Sequence, residues 1–518
     1  MKVSIATCTT LLLLLGLLSC GPEPTLDVLI IGGMVVDGTG QPAQKMDIGI
    51  QADTIAFMGD AGEAGLVAAR TVEAAGYLVT PGFIDPHTHA MKDLSDSVKN
   101  RNLNYLMQGV TTVVTGSDGN SDNFIGERLA HWQNNGIGTN AAIMVGHRNI
   151  RRLCMGMSES APTAEELTNM KTMVRRGMEE GALGFSSGLY YSPASFASTE
   201  EVIELAKVSG ELGGLYDAHI RDESTYNIGL LAAVMESIEI AEKANTAANI
   251  SHIKCLGVDV WGMSNIIVDS IVAARSRGLR ITADQYPFRA SGTHLGAALL
   301  PKWVFADIDD YTPRLVDPEL RPQIQAAVAE NIRRRGGATS LLLVLSKVPN
   351  LAGKTLEEVA KEWELSAVDA AIKIIANGDA AIASFNMNEE DIFRFMQQDW
   401  VMTSSDGTSA HPRKFASFPK KIRAYVLDKE VLSMADMIRK STGLTAEVFG
   451  IPKRGKLQVG NYADVLVFKP EEVRDNASYA EPAQLSSGMR YVFLNGEVAV
   501  AESEVREGLF GRVVRRLP

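Results

Sequence analysis

The chain is organised around Leu78-Val79-Thr80-Pro81-Gly82-Phe83-Ile84-Asp85-Pro86-His87-Thr88-His89. Apolar and β-compatible residues, punctuated by Pro81-Gly82, form a run typical of a buried strand that ends in two histidines. Because alternate residues of a strand share a face, His87 and His89 can place two imidazoles on one side, where they could chelate zinc or a similar ion. An isolated His-x-His can also be a pair of ordinary polar residues, so the rest of the chain must decide.

Composition and charge limit the class of protein. The 518 residues are 46% hydrophobic and 22% charged, which is typical of a globular chain large enough for one α/β domain with accessory parts. The formal net charge of −12 argues against nucleic acids and anionic membrane surfaces as main partners. The run Arg333-Arg334-Arg335 is interpreted as a solvated helix end. Apart from Cys8 and Cys20 the chain has Cys154 and Cys255, which excludes a disulfide framework.

The N-terminal segment, residues 1–19, is predicted to be an export signal. Lys2 provides a positive charge, and Leu11 to Leu18 form an apolar run too short to span a bilayer. Leu17-Leu18-Ser19-Cys20 is similar to the bacterial lipoprotein cleavage box, and an ordinary secretory signal is the alternative. We therefore expect an exported, periplasmic protein anchored by lipid at Cys20, at the outer membrane because Gly21 rather than Asp follows the cysteine.

The pattern of apolar runs predicts the architecture. Residues 26–80 and 451–518 contain short strands with tight turns and are expected to form one discontinuous β-sandwich. Between them, residues 81–450 alternate short apolar strands with amphipathic helices, the first helix around residues 94 to 109. Eight such units in series predict an α/β fold with a (β/α)8 TIM barrel. The interval between strands seven and eight is too long for one helix, so residues 288–350 are expected to form an inserted lid or subdomain.

Polar residues follow the apolar runs at several predicted strand ends. Catalytic groups of such barrels lie at the carboxyl ends of the strands, so these residues are expected to meet at one rim. Four of the eight histidines and two carboxylates belong to the set, which predicts a metal site. The set is His87 and His89 after strand one, Asp118 after strand two, His219 after strand five, His252 after strand six and Asp406 after strand eight.

The order of these residues resembles that of the amidohydrolase superfamily, and the flanking segments resemble its N-acyl-D-amino-acid deacylase (D-aminoacylase) family. The resemblance extends from the first sandwich strand almost to the C-terminus. Besides the segments around His219 and His252, it depends on Gly184-Phe185-Ser186-Ser187-Gly188-Leu189-Tyr190-Tyr191-Ser192-Pro193, on Asp284-Gln285-Tyr286-Pro287-Phe288, and on Ser405-Asp406-Gly407 followed by His411-Pro412-Arg413.

The segment after strand two departs from the family pattern. D-aminoacylases have a metal-binding cysteine there, in Gly-Asn-Cys-Gly, whereas this chain has Gly116-Ser117-Asp118-Gly119. Asp118 is a harder ligand than a thiolate, and we interpret it as a substitute ligand or as a bridge between two metals. A turn aspartate before glycine is the alternative. The expected cofactor is zinc, bound as one or two divalent ions.

The predicted site implies a hydrolase. The ligands of the tighter metal are expected to be Asp118, His219 and His252, and the histidine pair His87 and His89 would complete this site or form a second one. The ion would lower the pKa of a bound water and polarise the substrate carbonyl. Asp406 would accept the proton and pass it to the leaving amine. The expected reaction is hydrolysis of an N-acyl-D-amino acid to a carboxylate and a free D-amino acid.

The carboxylate of the amino acid requires recognition by the pocket. Lys254 lies two residues after His252 on the same strand end, and Tyr286 follows strand seven. The family resemblance adds Ser291 and Arg394 as substrate-binding residues. Arg394 could equally form an i to i+4 ion pair on a helix surface.

Three further polar residues are expected near the pocket. His147, at the end of strand three, is expected to line it. Arg221 and Glu223 follow His219 closely and are expected to orient this strand-five ligand.

Other functions remain open at this stage. A dipeptidase that cleaves peptides with a C-terminal D-residue would use the same metal machinery. A hydantoinase or dihydroorotase would need a carboxylated lysine after strand four, where this chain has Phe185-Ser186-Ser187-Gly188. A ligand-binding lipoprotein without catalysis would be expected to have lost metal ligands, yet every position of the set is filled.

Overall fold

The computed structural model describes residues 25–516. The predicted export signal and Cys20 lie outside these residues. Within the described range, no helix combines the length and apolarity needed to cross a bilayer. Cys154 and Cys255 are both free thiols, as the sequence predicts.

The first part of the chain consists of short strands. They are β1 (Leu26–Ile31), β2 (Met34–Val35), β3 (Gln44–Lys45), β4 (Asp47–Gln51), β5 (Thr54–Gly59), β6 (Ala68–Glu73) and β7 (Leu78–Pro81). Four of them form a sheet in the order β5-β4-β1-β6. Side chains such as Val28 and Ile30 point to the same face of β1 and are buried there.

Parallel strands and helices alternate from residue 83 onward. The strands are β8 (Phe83–Asp85), β9 (Val110–Thr115), β10 (Asn140–Ile143), β11 (Val145–Gly146), β12 (Gly184–Gly188), β13 (Leu215–His219), β14 (Ala248–Ile250) and β15 (Ile281–Gln285). The helices are α1 (Met91–Leu94), α2 (Leu103–Leu106), α3 (Ile125–Asn135), α4 (His147–Met155), α5 (Ala164–Glu179), α6 (Thr199–Glu211), α7 (Leu230–Ala244) and α8 (Ser264–Ser276). The helix predicted over residues 94 to 109 is broken into short pieces, because Asn102 adopts a left-handed backbone with φ 53°.

An inserted subdomain follows β15. Its elements are β16 (Ala290–His294), α9 (Leu295–Leu299), α10 (Thr312–Val316), α11 (Arg321–Arg334), β17 (Leu341–Ser346), α12 (Leu356–Glu362), α13 (Ala367–Ala376) and β18 (Ala380–Phe385). The sheet has the antiparallel order β16-β18-β17, and a separate apolar core that includes Leu299, Ile324 and Leu343 lies against it. The insertion extends beyond the predicted end near residue 350, because β18 is the central strand of its sheet.

The chain then returns to the barrel and the sandwich. The remaining elements are α14 (Glu389–Gln397), β19 (Val401–Thr403), α15 (Arg413–Lys420), a π-helical segment Lys421–Asp428, α16 (Met434–Ser441), α17 (Gly443–Val448), β20 (Val465–Phe468), β21 (Met489–Leu494), β22 (Glu497–Ala501) and β23 (Glu504–Val505). The second sandwich sheet has the order β23-β22-β21-β20-β7-β2-β3. Val28, Val465 and Phe493 share one core, so both ends of the chain form the predicted sandwich.

The barrel consists of two parallel sheets that meet at their edges. Their orders are β10-β9-β8 and β11-β12-β13-β14-β15-β19. β10 and β11 are one strand interrupted at Met144, which joins the sheets on one side. On the other side, the Asp406 N–H donates to the His87 carbonyl at 2.9 Å, and Thr88 pairs in parallel with Gly407. The eight predicted strands therefore form the (β/α)8 fold, and their carboxyl ends share one rim.

The Leu78 to Asp85 run divides between the two parts of the molecule. Leu78–Pro81 pairs with β20 and β2 in the sandwich, whereas Phe83–Asp85 pairs with β9 in the barrel. Gly82 joins the two strands and packs closely against Thr111, so a larger residue has no space there. A proline and a glycine in sequence thus end one strand and start the next.

We predict that Gly82→Ala destabilises the fold. A Cβ at this position would lie 2.5 Å from the Thr111 methyl carbon and 2.8 Å from its Cβ, so the strand junction must shift. Overpacking of this kind costs about 1–3 kcal/mol of unfolding free energy, which urea denaturation can measure. Gly62→Ala is the control, because its neighbour is the flexible side chain of Asp60. Equal losses in the two variants would contradict the prediction.

Candidate metal centre

Asp118 lies at the centre of the predicted ligand set. Its Oδ1 is 3.4 Å from His87 Nε2 and 3.2 Å from His219 Nδ1. The same oxygen is 3.4 Å from His252 Nε2, and Oδ2 is 3.4 Å from His89 Nε2. The residue that departs from the family pattern is therefore the carboxylate on which all four imidazoles converge.

Asp406 completes the arrangement from the closing side of the barrel. Its Oδ1 is 3.1 Å from His89 Nε2 and 3.7 Å from His87 Nε2, and its Oδ2 is 2.8 Å from Arg413 Nη1. The possible ligand atoms fall into two groups, His87, His89, Asp118 and Asp406 in one, and Asp118, His219 and His252 in the other. The shared Asp118 gives the geometry of a carboxylate that can bridge two adjacent ions.

The donor atoms fit a metal ion. Both ring nitrogens of His87 and Nε2 of His219 are buried and have no hydrogen-bond partner within residues 25–516. Buried polar atoms without partners are costly, and coordination of His87 Nε2, which faces Asp118, to a divalent ion would satisfy that nitrogen. Imidazole nitrogens together with carboxylate oxygens are a donor set that zinc accepts. The residues present can therefore hold one or two zinc ions.

Three of these residues lie on unusual backbone turns. Asp118, His252 and Asp406 have φ values of 57°, 38° and 45°. These values lie in the left-handed region of the backbone, which residues other than glycine rarely adopt. Each turn comes shortly after a barrel strand and redirects the side chain into the mouth of the barrel. Such a conformation costs roughly 1–2 kcal/mol per residue and is typical of functional sites.

Electrostatic contacts keep both carboxylates ionised. Burial opposes ionisation of Asp406, but the charge of Arg413 and the hydrogen bond with His89 hold its pKa well below the usual range. Burial likewise opposes ionisation of Asp118, and the imidazoles of His87 and His219 lower its pKa. Both side chains are thus available as anionic ligands or proton acceptors.

Asp85 supports the histidine pair from below. Its Oδ1 accepts hydrogen bonds from the backbone N–H groups of His87 at 3.2 Å and Ser405 at 3.1 Å. Complete burial raises the pKa of Asp85 to about 7. The carboxyl group links the first and eighth strand ends and fixes the backbone from which the ligands project.

A cleft of about 320 Å³ opens above the ligands. This volume is at the small end of ligand pockets and suits a single acylated amino acid better than a longer peptide. Besides the possible metal ligands, its polar lining includes Arg148, Tyr190, Tyr191, Glu223, Lys254, Tyr286, Ser291, Arg335 and Arg413.

Three predicted substrate-binding residues lie together in this cleft. Lys254 Nζ and Arg413 Cζ lie 5.7 and 4.7 Å from the ring centroid of Tyr286. The hydroxyl of Tyr286 is buried without a hydrogen-bond partner among the described residues. Ser291 lines the same cleft, with its Oγ 3.0 Å from the side-chain amide of Asn386. Two cations and a phenol thus converge in a geometry that can bind a carboxylate.

Glu223 and Arg221 differ from each other in their contacts. Glu223 Oε1 is 3.2 Å from His252 Nδ1 and accepts a hydrogen bond from Lys254, so it orients the strand-six ligand rather than His219. Arg221 contacts no ligand, because its guanidinium binds Glu236 at 2.7 Å and the Ser195 carbonyl. The contacts of Arg221 within residues 25–516 thus lie away from the possible metal ligands.

Two predicted pocket residues lie elsewhere. Arg394 is exposed on the solvent side of α14 and does not line the cleft. His147 is buried, and its Nε2 lies 2.8 Å from Glu201 Oε1, beside the Arg151 side chain that also binds Glu201. Because His147 begins α4, the helix turns its side chain away from the rim and presents Arg148 to the cleft.

Sequence reasoning missed several residues of the cleft. Arg413 belongs to the His411-Pro412-Arg413 motif, and its position seven residues after Asp406 was the available signal. Tyr190 and Tyr191 likewise belong to a quoted family motif without an assigned role. Arg335 had no such signal, because it belongs to the basic run interpreted as a solvated helix end, yet it is 1% exposed.

Comparisons with known proteins agree with this geometry. No protein-family model matches the chain. A D-aminoacylase from Alcaligenes xylosoxydans xylosoxydans is 31% identical over 95% of this chain and 98% of its own length. A D-aminoacylase structure solved to study its binuclear metal center has a TM-score of 0.82 and 30% identity, over 95% of this chain and all of that one. N-acyl-D-glutamate deacylase from Bordetella bronchiseptica, solved with zinc and a phosphonate inhibitor, has a TM-score of 0.81 and 30% identity, over 95% and 99% of the two chains.

We predict that Asp118→Asn weakens zinc binding by about tenfold or more. The amide is uncharged, so four imidazoles lose the anion that they share, and the ligand set loses a carboxylate. Metal analysis and titration against a chromophoric chelator measure the effect. Asp122→Asn is the matched control, since Asp122 lies in the same loop and pairs with Arg128 at 2.6 Å away from the ligands. Unchanged zinc affinity in Asp118→Asn would contradict the central position of this carboxylate.

Proposed function

The chain belongs to the D-aminoacylase family of amidohydrolases, and from this membership we propose that it hydrolyses N-acyl-D-amino acids to a carboxylate and a free D-amino acid. Its relatives are hydrolases of N-acyl amide bonds. The observation that carries the proposal is the position of Asp406, which contacts the possible metal ligands and lines the same cleft as the carboxylate-binding group.

The reaction needs an electrophile and a proton shuttle. Zinc held by the histidines and by Asp118 would act as a Lewis acid that polarises the amide carbonyl and acidifies the attacking water. Asp406 accepts the proton of that water at Oδ1, which faces His89, and then donates it to the nitrogen of the breaking C–N bond. Arg413 holds Oδ2 at 2.8 Å, so the other carboxylate oxygen stays directed toward the ligands.

The substrate carboxylate would bind in the group formed by Lys254, Tyr286 and Arg413. Tyr286 offers a hydroxyl with no other partner among the described residues, and both cations lie close to its ring centroid, Lys254 at 5.7 Å and Arg413 at 4.7 Å. Lys254 also pairs with Glu223, which holds the ammonium group in position. Binding here would fix the amino-acid half of the substrate with its amide next to Asp406.

A second lobe of the cleft favours an acyl group over a peptide amine. This lobe shares His89, Asn120 and Thr408 with the main cleft and has apolar walls from Met91, Val344, Leu345, Ala381 and Ile382. Within the described residues, the carboxylates that line either lobe are Asp118, Glu223 and Asp406, and each already contacts an imidazole. The α-ammonium of a dipeptide would find no free anionic partner, so the dipeptidase alternative has less support.

We further propose export and lipid anchoring, which the sequence around Cys20 supports. A protein with Cys20→Ser should move from the membrane fraction to a soluble or unprocessed form, because the acyl chains provide the anchor. Fractionation and labelling of cells with a radioactive fatty acid measure this. Cys154→Ser is the control, and label on a Cys20→Ser protein would contradict the proposal.

We predict that Asp406→Asn lowers kcat on an N-acetyl-D-amino acid by about 10²–10⁴-fold, the contribution of a general acid-base group. Purified zinc-reconstituted protein is assayed on panels of N-acetyl-D-amino acids, their L-enantiomers and L-Xaa-D-Xaa dipeptides. Asp399→Asn, which changes an exposed residue, is the control and should keep full activity. Turnover confined to the dipeptides would favour the dipeptidase. No turnover on any panel by the zinc-loaded wild type would contradict the proposed function.

A further inference from the structure

Arg335 is a buried cation that forms no ion pair with any residue of the range 25–516. It follows α11 in the inserted subdomain, is 1% exposed, and lines the main cleft. Its Nε has no hydrogen-bond partner, and no carboxylate of residues 25–516 lies within ion-pair distance of it. One Nη is 3.2 Å from the side chain of Asn386 when that amide is oriented with its oxygen toward the guanidinium. A buried guanidinium of this kind is costly unless an anion accompanies it.

The two preceding arginines differ from Arg335 because each of them pairs with a carboxylate. Arg333 lies 2.7 Å from Asp259 and 2.8 Å from Glu330, and Arg334 lies 3.6 Å from Glu330. These three pairs lie near the surface, where the carboxylates compensate the charge of the two arginines. Arg335 alone of the three turns into the cleft.

The wall around Arg335 is positively charged and partly aromatic. The guanidinium lies 5.7 Å from the ring centroid of Tyr226. Lys302 Nζ lies 3.7 Å from the ring centroid of Tyr190, on the same wall. Burial and the charge of Arg335 lower the pKa of Lys302 to about 7, and the charge of Asp222 opposes this shift.

The nearby carboxylates already have partners. Asp222 accepts hydrogen bonds from the backbone N–H groups of Ser224 at 2.8 Å, Asn227 at 2.6 Å and Gly229 at 3.0 Å. Glu223 binds Lys254 and His252. Glu223 acts on the charge of Arg335 from a distance but forms no ion pair with it, so the cleft leaves room for a ligand anion at this guanidinium.

We propose that Arg335 binds a second carboxylate of the substrate, carried by the side chain of the D-residue, so that acidic N-acyl-D-amino acids are preferred. This inference rests on the proposed function. The α-carboxylate has its own group in Lys254, Tyr286 and Arg413, which leaves Arg335 for the side chain. A guanidinium can hold a carboxylate through two parallel hydrogen bonds, and the Tyr226 hydroxyl can add a third. An apolar side chain would leave the cation desolvated and unpaired.

The test compares substrates that differ in one charge. The wild type should show a kcat/KM for N-acetyl-D-glutamate at least about tenfold above that for N-acetyl-D-glutamine. Arg335→Met should bring the ratio of these two kcat/KM values close to one, mainly by raising KM for N-acetyl-D-glutamate. Turnover of N-acetyl-D-glutamine should change less than about threefold. Arg333→Met, in the same basic run, should keep the wild-type ratio.

Two results would overturn the inference. One is a wild type whose kcat/KM for N-acetyl-D-glutamine or N-acetyl-D-leucine equals its kcat/KM for N-acetyl-D-glutamate. This result would leave the proposed function intact. The other is an unchanged ratio in a folded Arg335→Met protein. Absence of turnover on every N-acyl-D-amino acid would instead overturn the proposed function.

A measurement on the wild type covers the case in which Arg335→Met does not fold. D-glutamate, the expected product, should inhibit at least about tenfold more strongly than D-glutamine. Equal inhibition by the two amino acids would overturn the inference without any variant.

Discussion

Closure of the parallel barrel between its first and eighth strand ends is the constraint on which the site depends. His89 and Asp406 are 317 residues apart in the chain, yet their side chains lie 3.1 Å apart. The hydrogen bond from the Asp406 N–H to the His87 carbonyl both closes the barrel and sets the distance between possible ligands. The carboxyl group of Asp85 reinforces this seam by binding the backbone on either side of it. Architecture and chemistry therefore share the same few contacts.

Asp118 stands where the family resemblance implies a cysteine, and its two oxygens have different neighbours. A thiolate offers one donor atom, whereas a carboxylate offers two that can point in different directions. In this chain Oδ1 faces His87, His219 and His252, and Oδ2 faces His89. The left-handed turn at Asp118 makes this orientation possible. A hard ligand is thus placed where both possible ion positions meet.

The strand-end residues could be predicted because barrel topology converts position in the sequence into position in space. A polar residue after each apolar run had to reach the same rim, which is why His219, His252 and Asp406 meet there. Helix-borne residues carry no such constraint. His147 and Arg148 are adjacent residues of α4, yet His147 is buried against Glu201 and Arg148 lines the cleft. The apolar pattern of the sequence does not specify how the helix is rotated about its axis. Arg394 is also carried by a helix, α14, and its side chain is exposed outside the cleft.

Tertiary packing determines the features of the fold and the cleft that the sequence pattern does not distinguish. Leu78–Pro81 and Phe83–Asp85 have similar composition, and only their pairing partners assign one to the sandwich and the other to the barrel. Residues 333 to 335 are all arginine, so the sequence does not distinguish them. Of the three, the fold fully buries Arg335.

The inserted subdomain has its own apolar core and contributes Arg335 to the cleft, whereas the barrel contributes every residue of the predicted ligand set. Selection can therefore act on the two separately. Substitutions in the insertion can therefore reshape the wall of the cleft around Arg335 and leave the predicted metal ligands on the barrel unchanged.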